Sequence, residues 1–364
     1  MAIYKIEKKW YFRCYYDTFE GRKQYKSKKY DTKAEAQEAE RLFLIKRDNP
    51  IHKEFKLIAN DYFDYLYKIK KESTVYTYIQ DYNNHIKPYF ENTYIDAINT
   101  QTILQWEDKL EKQGYNVHYL NKIYSVLVQI FKYAMRVYSL QFNPVEVAGR
   151  FQKKNDEVKK DKDKLRYLTI DEFNKFISVI ENPTHYAYFN FAFWTGCRRG
   201  EISALKWEDI DLENGYITID KTLNEKLGGK ITSTKNNLNR KIQMSKTLKE
   251  IMIKYKSNQM EYSDFNEQFF VFGGSTYLAN TTIDRYKKKY FELSGVHEIT
   301  MHEFRHSHVS NCINAYLNSG QTDTTKFFLM MSNRMGHTIE VMQSTYLHLF
   351  PTIQNEIVDL LNNM

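Results

Sequence analysis

The spacing of apolar and polar residues changes along the chain, and each pattern predicts a different kind of element. From residue 2 to 29, aromatic and β-branched residues alternate with charged ones, which predicts strands over 2–7, 10–17 and 22–29. The stretch "DTFEGRK" supplies the turn between the last two strands. The next segment, "TKAEAQEAERLFLIK", predicts a helix in which Thr32 and Glu35 have capping-box spacing. Together they predict a small module of one sheet and one helix that ends at "RDNP".

Residues 54–149 have apolar residues at helical spacing and predict a helical bundle. Two stripes carry this pattern: Phe55, Ile58, Ala59, Tyr62, Phe63, Tyr65 and Leu66 in the first, and Ile123, Leu127, Ile130, Phe131 and Ala134 in the second. We interpret the aromatic residues of these stripes as core rather than as base-stacking surfaces. Ser73 is the expected N-cap of "STVYTYIQDYNNHIKPYF", a helix that should end at Pro88, and "NPVE" at 143–146 should end the bundle.

A charged segment then separates two parts of the chain. In "QKKNDEVKKDKDK", residues 152–164, Val158 is the one apolar residue, which predicts a linker. Thr169 and Glu172 form a second capping box, "YITID" begins a strand, and "GGKITSTKNNLNRKIQM" predicts two strands around a "KNNLN" turn.

The predicted fold class is therefore multidomain and mainly α with small β-sheets. We predict a sheet-and-helix domain over 1–50, a helical domain over 51–150, a linker over 151–164 and a mixed α/β domain over 165–364.

Composition narrows the class of protein. A chain of 364 residues is long for one domain, and a mean hydropathy of −0.65 without an apolar run near 18 residues argues against a transmembrane helix. The first residues do not have the pattern of a signal peptide. The three cysteines, Cys14, Cys197 and Cys312, are scattered and suggest neither a disulfide framework nor a zinc site. We therefore expect a cytoplasmic protein.

Positive charge is concentrated at the start of the chain. The net charge is +8, and residues 1–30 hold nine Lys and Arg against three Asp and Glu. Interleaved with aromatic residues, this predicts a surface for a polyanion such as DNA. The alternative is an ordinary solvated sheet face. The candidate DNA contacts are Lys8, Lys9, Trp10, Arg13, Arg22, Lys23, Lys26 and Lys28.

The segment "MHEFRHSHVSN" has two chemically different interpretations. As H-E-x-x-H, it would place His302 and His306 on one helix face as zinc ligands, with Glu303 as general base. Arg305 would then lie close to a dication, and the chain has no Glu from 304 to 339 to act as third ligand. These features disfavour a zinc protease.

As H-x-x-R, the same segment joins other motifs in a fixed order. They are "FWTGCRRGEISALKWEDID" at 193–211, a lysine in the predicted hairpin turn, His302 and Arg305, then "GH" at 336–337 and Tyr346 nine residues later. This order and spacing, spread over roughly 165–350, resemble the tyrosine recombinase (phage integrase) family.

The chemistry of these residue types supports the resemblance. A phenol has a pKa near 10, so a tyrosine attacks phosphorus only where cations favour the phenolate. Arg198 and Arg305 offer planar clamps for phosphoryl oxygens, and Lys235 offers a proton for the leaving alkoxide. The resemblance makes Tyr346 the nucleophile and these three groups catalytic. It adds His302 and His337 as hydrogen-bond donors or proton carriers, with Glu201 as a supporting residue.

Some neighbours compete for these assignments. Arg199 is the rival of Arg198, although the T-G-x-R spacing favours the latter. Lys226, Lys230 and Lys241 are rivals of Lys235. We expect His308 and His348 to be structural or exposed, while His306 stays open. "GGK" at 228–230 lacks the remaining residues of a phosphate loop and predicts a hairpin turn.

The resemblance implies a site-specific DNA recombinase that forms a 3′-phosphotyrosyl intermediate to integrate or excise a mobile element. It implies an arm-binding domain at the front, a core-binding domain and a catalytic domain, and double-stranded core and arm sites as partners. It further implies a homotetramer on DNA, and excisionase and DNA-bending proteins as accessory partners. The apolar stripe of "FPTIQNEIVDLLNNM" would then dock on a neighbouring protomer, and the alternative is that it docks on its own domain. The alternatives are a type IB topoisomerase, a zinc metalloprotease and a non-catalytic DNA-binding regulator.

Overall fold

The chain forms two compact units, residues Met1–Val158 and Lys159–Met364. The structure, a computed structural model, describes residues 2–18, 21–47, 52–152, 165–234, 239–321, 323–350 and 361–362. Within these ranges no helix has the length and apolarity needed to cross a bilayer. The predicted linker and the C-terminal helix lie almost entirely outside the described residues.

The first unit opens with the predicted sheet and helix. Its strands β1 (Ala2–Ile6), β2 (Lys9–Thr18) and β3 (Gly21–Lys26) form an antiparallel sheet in the order β1-β2-β3. Helix α1 (Lys33–Arg47) packs on one face, where Phe43 stacks on Tyr25. The predicted capping box is confirmed, because the Glu35 backbone N–H donates to Thr32 Oγ1 at 3.1 Å.

The rest of the first unit is the predicted helical bundle. Its helices are α2 (Phe55–Ile69), α3 (Glu72–Asp81), α4 (Lys87–Phe90), α5 (Thr100–Glu111), α6 (Val117–Tyr138) and α7 (Pro144–Ala148). The two apolar stripes are buried in one core, except Tyr65, which is half-buried. Burial of these stripes is the main source of stability for such helices.

Two predicted helix ends in the bundle are wrong. Ser73 does not cap its helix: α3 already begins at Glu72, and the Ser73 carbonyl accepts a hydrogen bond from Thr77. Pro88 does not end the helix, because a π-helical turn over Tyr82–Ile86 precedes it and the helical path continues to Phe90. The wider π turn accommodates a proline that has no N–H to donate.

"NPVE" forms the start of a short helix that packs into the bundle. Asn143 caps the short helix α7, accepting a hydrogen bond from the Val145 N–H at 3.1 Å, and Val145 is buried in the bundle core. Proline at the first helical position is well suited to this role because its missing N–H needs no partner.

The second unit combines helices with small sheets. Its helices are α8 (Ile170–Ser178), α9 (Pro183–Thr195), α10 (Arg199–Ala204), α11 (Lys246–Met260), α12 (Asn280–Ser294), α13 (Met301–Asn318), α14 (Thr324–Met335) and α15 (Ile339–Tyr346). The capping box predicted for α8 is confirmed, since the Glu172 N–H donates to Thr169 Oγ1 at 3.3 Å. The fold class predicted from the sequence is confirmed.

The predicted hairpin around "KNNLN" is wrong in its pairing. Strand β7 (Lys230–Ser233) pairs with β6 (Lys221–Asn224), whereas β8 (Arg240–Gln243) pairs with β5 (Tyr216–Ile219) in another sheet, which β4 (Ile210–Asp211) completes. Both strands are present, but alternation along a strand does not specify its partner. The "GGK" turn is confirmed as a hairpin connection, between β6 and β7.

Helix α13 joins two apolar clusters of the second unit. Phe304 lies in a large cluster with α8, α9, α11 and α12, while Val309 and Ile313 lie in a smaller one with α14 and α15. Arg305 lies between these residues in sequence and is almost fully buried. The packing of α13 therefore holds a cation deep within the unit.

Candidate active site

Arg305 is held by the ends of two helices. Its Nη1 donates to the Gly196 carbonyl at 2.8 Å and its Nη2 to the Met335 carbonyl at 2.5 Å, at the C-terminal ends of α9 and α14. The structure gives its buried Nε no hydrogen-bond partner. Burial, and secondarily the charge of Arg198, lower the pKa of Arg305 to about 10, so the guanidinium stays charged at neutral pH.

Arg198 lies at the start of α10, close to the same two helix ends. Its Nη2 donates to the Gly336 carbonyl at 3.0 Å and its Nη1 to Glu201 Oε1 at 2.9 Å. Because helix C-terminal ends carry only partial negative charge, the carbonyls orient both guanidiniums without supplying a full counter-charge, and Glu201 supplies one to Arg198.

Glu201 connects Arg198 to a third arginine that the sequence did not single out. Arg240, at the start of β8, donates to Glu201 Oε2 at 2.7 Å and to the Arg334 carbonyl at 2.9 Å. Burial alone would raise the pKa of Glu201, but the hydrogen bond and charge of Arg240, together with Arg198, outweigh it and lower the pKa. The carboxylate is therefore ionised at neutral pH.

The charges of this cluster do not cancel. Arg198, Arg240 and Arg305 contribute three positive charges and Glu201 one negative charge, which leaves +2. A cleft of about 410 Å³ opens beside them, lined by Arg198, Arg305 and His302 among others. A net positive charge held beside a cleft by hydrogen-bonded arginines suits an anion. It suits a phosphoryl group most of all, because that group gains negative charge during reaction.

The two predicted catalytic histidines lie in the field of these arginines. The His302 ring is partly open to solvent, yet desolvation by its surroundings and the charges of Arg305 and Arg198 lower its pKa. Burial and the same two arginines lower the pKa of His337 to about 3. His337 Nδ1 is buried and the structure gives it no partner. Both rings are therefore neutral at neutral pH.

Tyr346 ends α15 and is 2% exposed. Burial raises the pKa of its hydroxyl to about 12, and the charge of Arg305 acts against this shift. The hydroxyl lies 2.7 Å from Nδ1 of His306, a contact that the motif spacing did not reveal. Tyr346 does not line the cleft described above.

His308 and Arg334 form a structural pair beside the site. The Phe193 carbonyl only accepts, so His308 Nδ1 donates to it at 3.0 Å and Nε2 accepts from Arg334 Nε at 3.0 Å. Burial and Arg334 lower the pKa of His308 to about 3. Arg199, the rival of Arg198, pairs with Asp284 at 3.0 Å on the wall of the cleft.

Lys235 lies outside the described residues, so the structure does not place it. Its rival Lys241 lies on β8, and Lys226 and Lys230 flank the turn between β6 and β7.

"HEFRH" places His302 and His306 on one face of α13, as the zinc interpretation expects, but the structure does not complete a metal site there. Glu303 caps α13, accepting from the Thr300 N–H at 2.5 Å, instead of extending between His302 and His306. In the described ranges, no group of three or more His, Cys, Asp or Glu side chains could hold a metal ion.

In the first unit, the candidate DNA contacts divide between the faces of the sheet. Arg13 lies opposite Lys26 on the neighbouring strand, and strand alternation places both on the face away from α1. Both cations lie over the Tyr11 ring, Arg13 at 5.4 Å and Lys26 at 4.8 Å from its centroid. Trp10 lies on the other face, where Lys33 of α1 approaches its ring. Lys9 pairs with Asp31 at 3.2 Å, Lys8 is exposed and Lys28 lies over Tyr30. The side chains of Arg22 and Lys23 are not described.

The fold brings Arg198, Arg305 and His302 to one cleft, an arrangement that suits an anionic group such as a phosphodiester. The chain belongs to the phage integrase family, whose model, "Phage integrase family", matches residues 166–350, just over half of the sequence. Two further models match in the first unit, "Arm DNA-binding domain" over residues 2–46 and "Phage integrase, N-terminal SAM-like domain" over 55–110. The protein is a site-specific DNA recombinase of the tyrosine recombinase type.

Individual relatives agree with this assignment. The chain is 29% identical to the ICEBs1 integrase of Bacillus subtilis (strain 168), over 78% of this chain and 75% of that protein. A lambda integrase dimer bound to a COC′ core site matches with a TM-score of 0.61 at 19% identity, over 94% of this chain and 93% of that one. The Tn1549 transposon integrase with circular intermediate DNA matches with a TM-score of 0.63 at 19% identity, over 83% and 99%. At such identities the two structures establish a shared fold.

Proposed function

We propose that this recombinase integrates and excises a mobile element by cleaving DNA with Tyr346. The hydroxyl oxygen attacks the scissile phosphorus, forms a 3′-phosphotyrosyl bond and displaces a 5′-hydroxyl. The 5′-hydroxyl of a partner strand then attacks that bond and releases the tyrosine. The +2 charge of the arginine cluster beside the cleft is the observation that carries this proposal.

Each residue has a role in this reaction. Arg198 and Arg305 hold the non-bridging oxygens, and Glu201 orients Arg198 through the bond at 2.9 Å. His302 and His337 contribute hydrogen bonds to the phosphoryl oxygens. Lys235 protonates the leaving 5′-oxygen. Because bond energy passes through the phosphotyrosine and guanidiniums supply the charge, the proposed reaction needs neither ATP nor a metal ion.

The domains have separate tasks in this proposal. Residues 1–50 bind arm sites through the sheet face that carries Arg13 and Lys26, residues 51–150 bind the core site, and residues 165–364 carry out catalysis. The 151–164 segment links the last two.

Assembly on DNA completes the proposed function. Four protomers assemble on DNA, as in the solved lambda integrase tetramer bound to a Holliday junction. We propose a nucleoid-associated protein in the cytoplasm, with excisionase and DNA-bending proteins setting the direction of recombination.

The test is a covalent adduct made in excess EDTA. A pool of nicked duplexes with varied core sequences is incubated with wild type, with Tyr346→Phe, and with Tyr316→Phe, a buried tyrosine in the same apolar cluster. We expect a denaturant-resistant protein–DNA band with wild type and Tyr316→Phe, but not with Tyr346→Phe. A band that persists in Tyr346→Phe places the nucleophile elsewhere. A wild-type band that forms in parallel reactions with Mg²⁺ but not in EDTA contradicts catalysis by side-chain cations.

Joining of strands from two different duplexes distinguishes a recombinase from the topoisomerase alternative. A recombinase joins strands from two sites, whereas a topoisomerase reseals the same strand at many sequences. Sequencing of the joined products from two differently marked duplexes separates these outcomes.

A further inference from the structure

His306 is the hydrogen-bond partner that the structure gives to the Tyr346 hydroxyl. Its Nδ1 lies 2.7 Å from the phenolic oxygen, and the two ring centroids are 5.6 Å apart. The contact joins α13 to the last residue of α15, 40 positions further along the chain. Hydrogen-bond reach between a nucleophile and a base is the geometric requirement for activation.

His306 and His302 lie beside different groups. His302, one turn earlier on α13, lines the cleft with Arg198 and Arg305. Its ring packs edge-on against the His306 ring, with centroids 4.8 Å apart. The two histidines therefore share one helix face, with His302 towards the cleft and His306 towards the tyrosine.

We propose that His306 is a catalytic residue that accepts the Tyr346 proton through Nδ1 during DNA cleavage. This inference rests on the proposed function, in which Tyr346 is the nucleophile. It assigns the tyrosine's proton to a residue outside the H-x-x-R pair, His302 and Arg305.

The proton and the bonds balance in both directions. During cleavage, the Tyr346 hydroxyl proton passes to His306 Nδ1 as the oxygen bonds to phosphorus, and the bond from phosphorus to the 5′-oxygen breaks. The 5′-oxygen takes its proton from the general acid. During rejoining, a 5′-hydroxyl returns a proton to that acid and attacks phosphorus. The bond from phosphorus to tyrosine then breaks, and His306 gives its proton back to the phenolic oxygen.

The protonation states suit an acceptor. Among the residues that the structure describes, the titratable and charged groups that act on His306 are His302, Glu303 and Arg305 on α13 and Tyr346 on α15. Burial, and secondarily His302, lower the pKa of His306 to about 4, so its ring is neutral above pH 5. One ring nitrogen of neutral histidine is free to accept.

The resting pKa values of the two groups do not prevent the transfer. Before reaction, the Tyr346 hydroxyl, with its pKa raised to about 12, does not protonate the His306 ring, so both groups are neutral. Once the oxygen begins to bond to phosphorus, its proton becomes far more acidic. The bound phosphate also offsets the charge of Arg305, which makes His306 a stronger base.

Two substitutions separate proton transfer from positioning. His306→Asn keeps a hydrogen-bonding atom near the place of Nδ1 without a basic group, and His306→Phe keeps the ring without the bond. In single-turnover cleavage of the nicked duplex at pH 7, we expect both to be slower by about 10² to 10⁴-fold, the usual contribution of a general base. His348→Asn, which removes an exposed histidine two residues after the nucleophile, should cleave at the wild-type rate.

The pH profile provides the readout that a structural defect would not produce. Between pH 6 and 9, His306 is neutral in wild type, so its titration adds no slope to the cleavage rate. Without the base, the tyrosine must lose its proton to solvent before it attacks, so its reactive fraction rises about tenfold per pH unit. We therefore expect the cleavage rate of both variants to rise with pH more steeply than that of wild type, by about a factor of ten per pH unit.

A second substrate separates this role from that of the acid. A duplex with a 5′-bridging sulfur has a leaving group that needs no proton, so it should restore Lys235→Ala but not His306→Asn. Gel-shift binding of the intact duplex shows whether each variant is folded.

Several outcomes would overturn the inference. They are a wild-type rate in either His306 variant, a slow variant with the wild-type pH profile, or rescue of His306→Asn by the sulfur substrate. If Tyr346→Phe abolishes the adduct while His306 variants are fast, the proposed function stands and His306 is not the acceptor. If Tyr346→Phe still forms the adduct, both fail.

Discussion

Glu201 determines how the arginines of the site are arranged. It is 2% exposed and binds Arg198 at 2.9 Å and Arg240 at 2.7 Å. A buried carboxylate that two guanidiniums share is costly to neutralise, because each cation then loses its counter-charge in a region of low dielectric.

We predict that Glu201→Gln lowers the free energy of unfolding by about 3 kcal/mol, since it leaves the Arg240 side chain, which is 7% exposed, without an anion. Urea unfolding monitored by tyrosine and tryptophan fluorescence measures this change. Glu292→Gln is the matched control: its carboxylate is exposed and lies 4.0 Å from Lys288, so its loss should cost less than about 0.5 kcal/mol. Equal effects of the two substitutions would contradict the role of Glu201.

One buried histidine, His308, and two half-buried ones, His306 and His337, predict a loss of stability in mild acid. The pKa values of His306, His308 and His337 are lowered to about 4, 3 and 3, chiefly by burial. Their neutral form is favoured in the folded chain, so this stability is complete above the unfolded pKa of 6.5 and is lost as pH falls towards 3 to 4.

We predict that the free energy of unfolding falls between pH 7 and 5, and that His308→Asn removes up to about 1.4 kcal/mol per pH unit from that slope. Urea unfolding at both pH values measures it. His348→Asn, at an exposed histidine, should keep the wild-type slope. An unchanged slope in His308→Asn would mean that His308 does not stay neutral in the folded chain.

At this scale the sequence predicts much of the site but not its contacts. Motif spacing identified Arg198 and Arg305, which the fold brings to one cleft. Arg240 was missed because its bond to Glu201 joins residues 39 positions apart, and nothing in either local pattern signals it. The contact of His306 with Tyr346 is missed for the same reason.

At the scale of elements, two helix ends form the seat of the arginines. Helices α9 and α14 both end in a glycine with positive φ, Gly196 at 64° and Gly336 at 61°. This conformation turns the chain sharply and leaves the last carbonyls pointing at guanidiniums instead of at water.

We predict that Gly196→Ala destabilises the protein by about 2 to 3 kcal/mol and Gly295→Ala by about 1 kcal/mol, as measured by urea unfolding. Both substitutions place an alanine at a position with positive φ, which costs about 1 kcal/mol. At Gly196 the new Cβ would also lie 2.6 Å from Met335 Cε and 3.0 Å from His308 Cδ2, whereas the space beside Gly295 is open.

The two contacts at Gly196 are not equally easy to relieve. Met335 can turn its methyl away, but the His308 ring is held at both nitrogens. If the two substitutions cost the same, the His308 ring moves freely. Gly196→Ala should also slow single-turnover cleavage, because it displaces the carbonyl that holds Arg305.

Elements were easier to predict than their partners. The strands at β7 and β8 follow from alternation, but their pairing with β6 and β5 depends on where the whole chain brings each edge. The helix that continues past Pro88 needed a π turn, which has no signal in a hydrophobic pattern.

At the scale of the molecule, the two units have separate apolar cores. The bundle core lies within the first unit, and both clusters around α13 lie within the second. We therefore expect each unit to fold without the other.

We predict that residues 159–364 unfold cooperatively alone and bind core DNA at least about 10²-fold more weakly than the whole chain. Linking two binding modules raises the effective concentration of the second once the first is bound. Fluorescence anisotropy with a labelled core duplex measures the affinities, with an equimolar mixture of the separate units as the control. If the isolated second unit binds as tightly as the whole chain, the first unit does not contribute to DNA binding.

The carbonyl seats of Arg198 and Arg305 also bear on how far such a protein can diverge in sequence. A main-chain oxygen is present whatever side chain its residue carries, so Met335 can be replaced without loss of the acceptor that it offers to Arg305. Substitution is then restricted mainly at the arginines and at the glycines whose φ aims those oxygens. Most of the residues around these carbonyls can therefore change while both guanidiniums keep their positions.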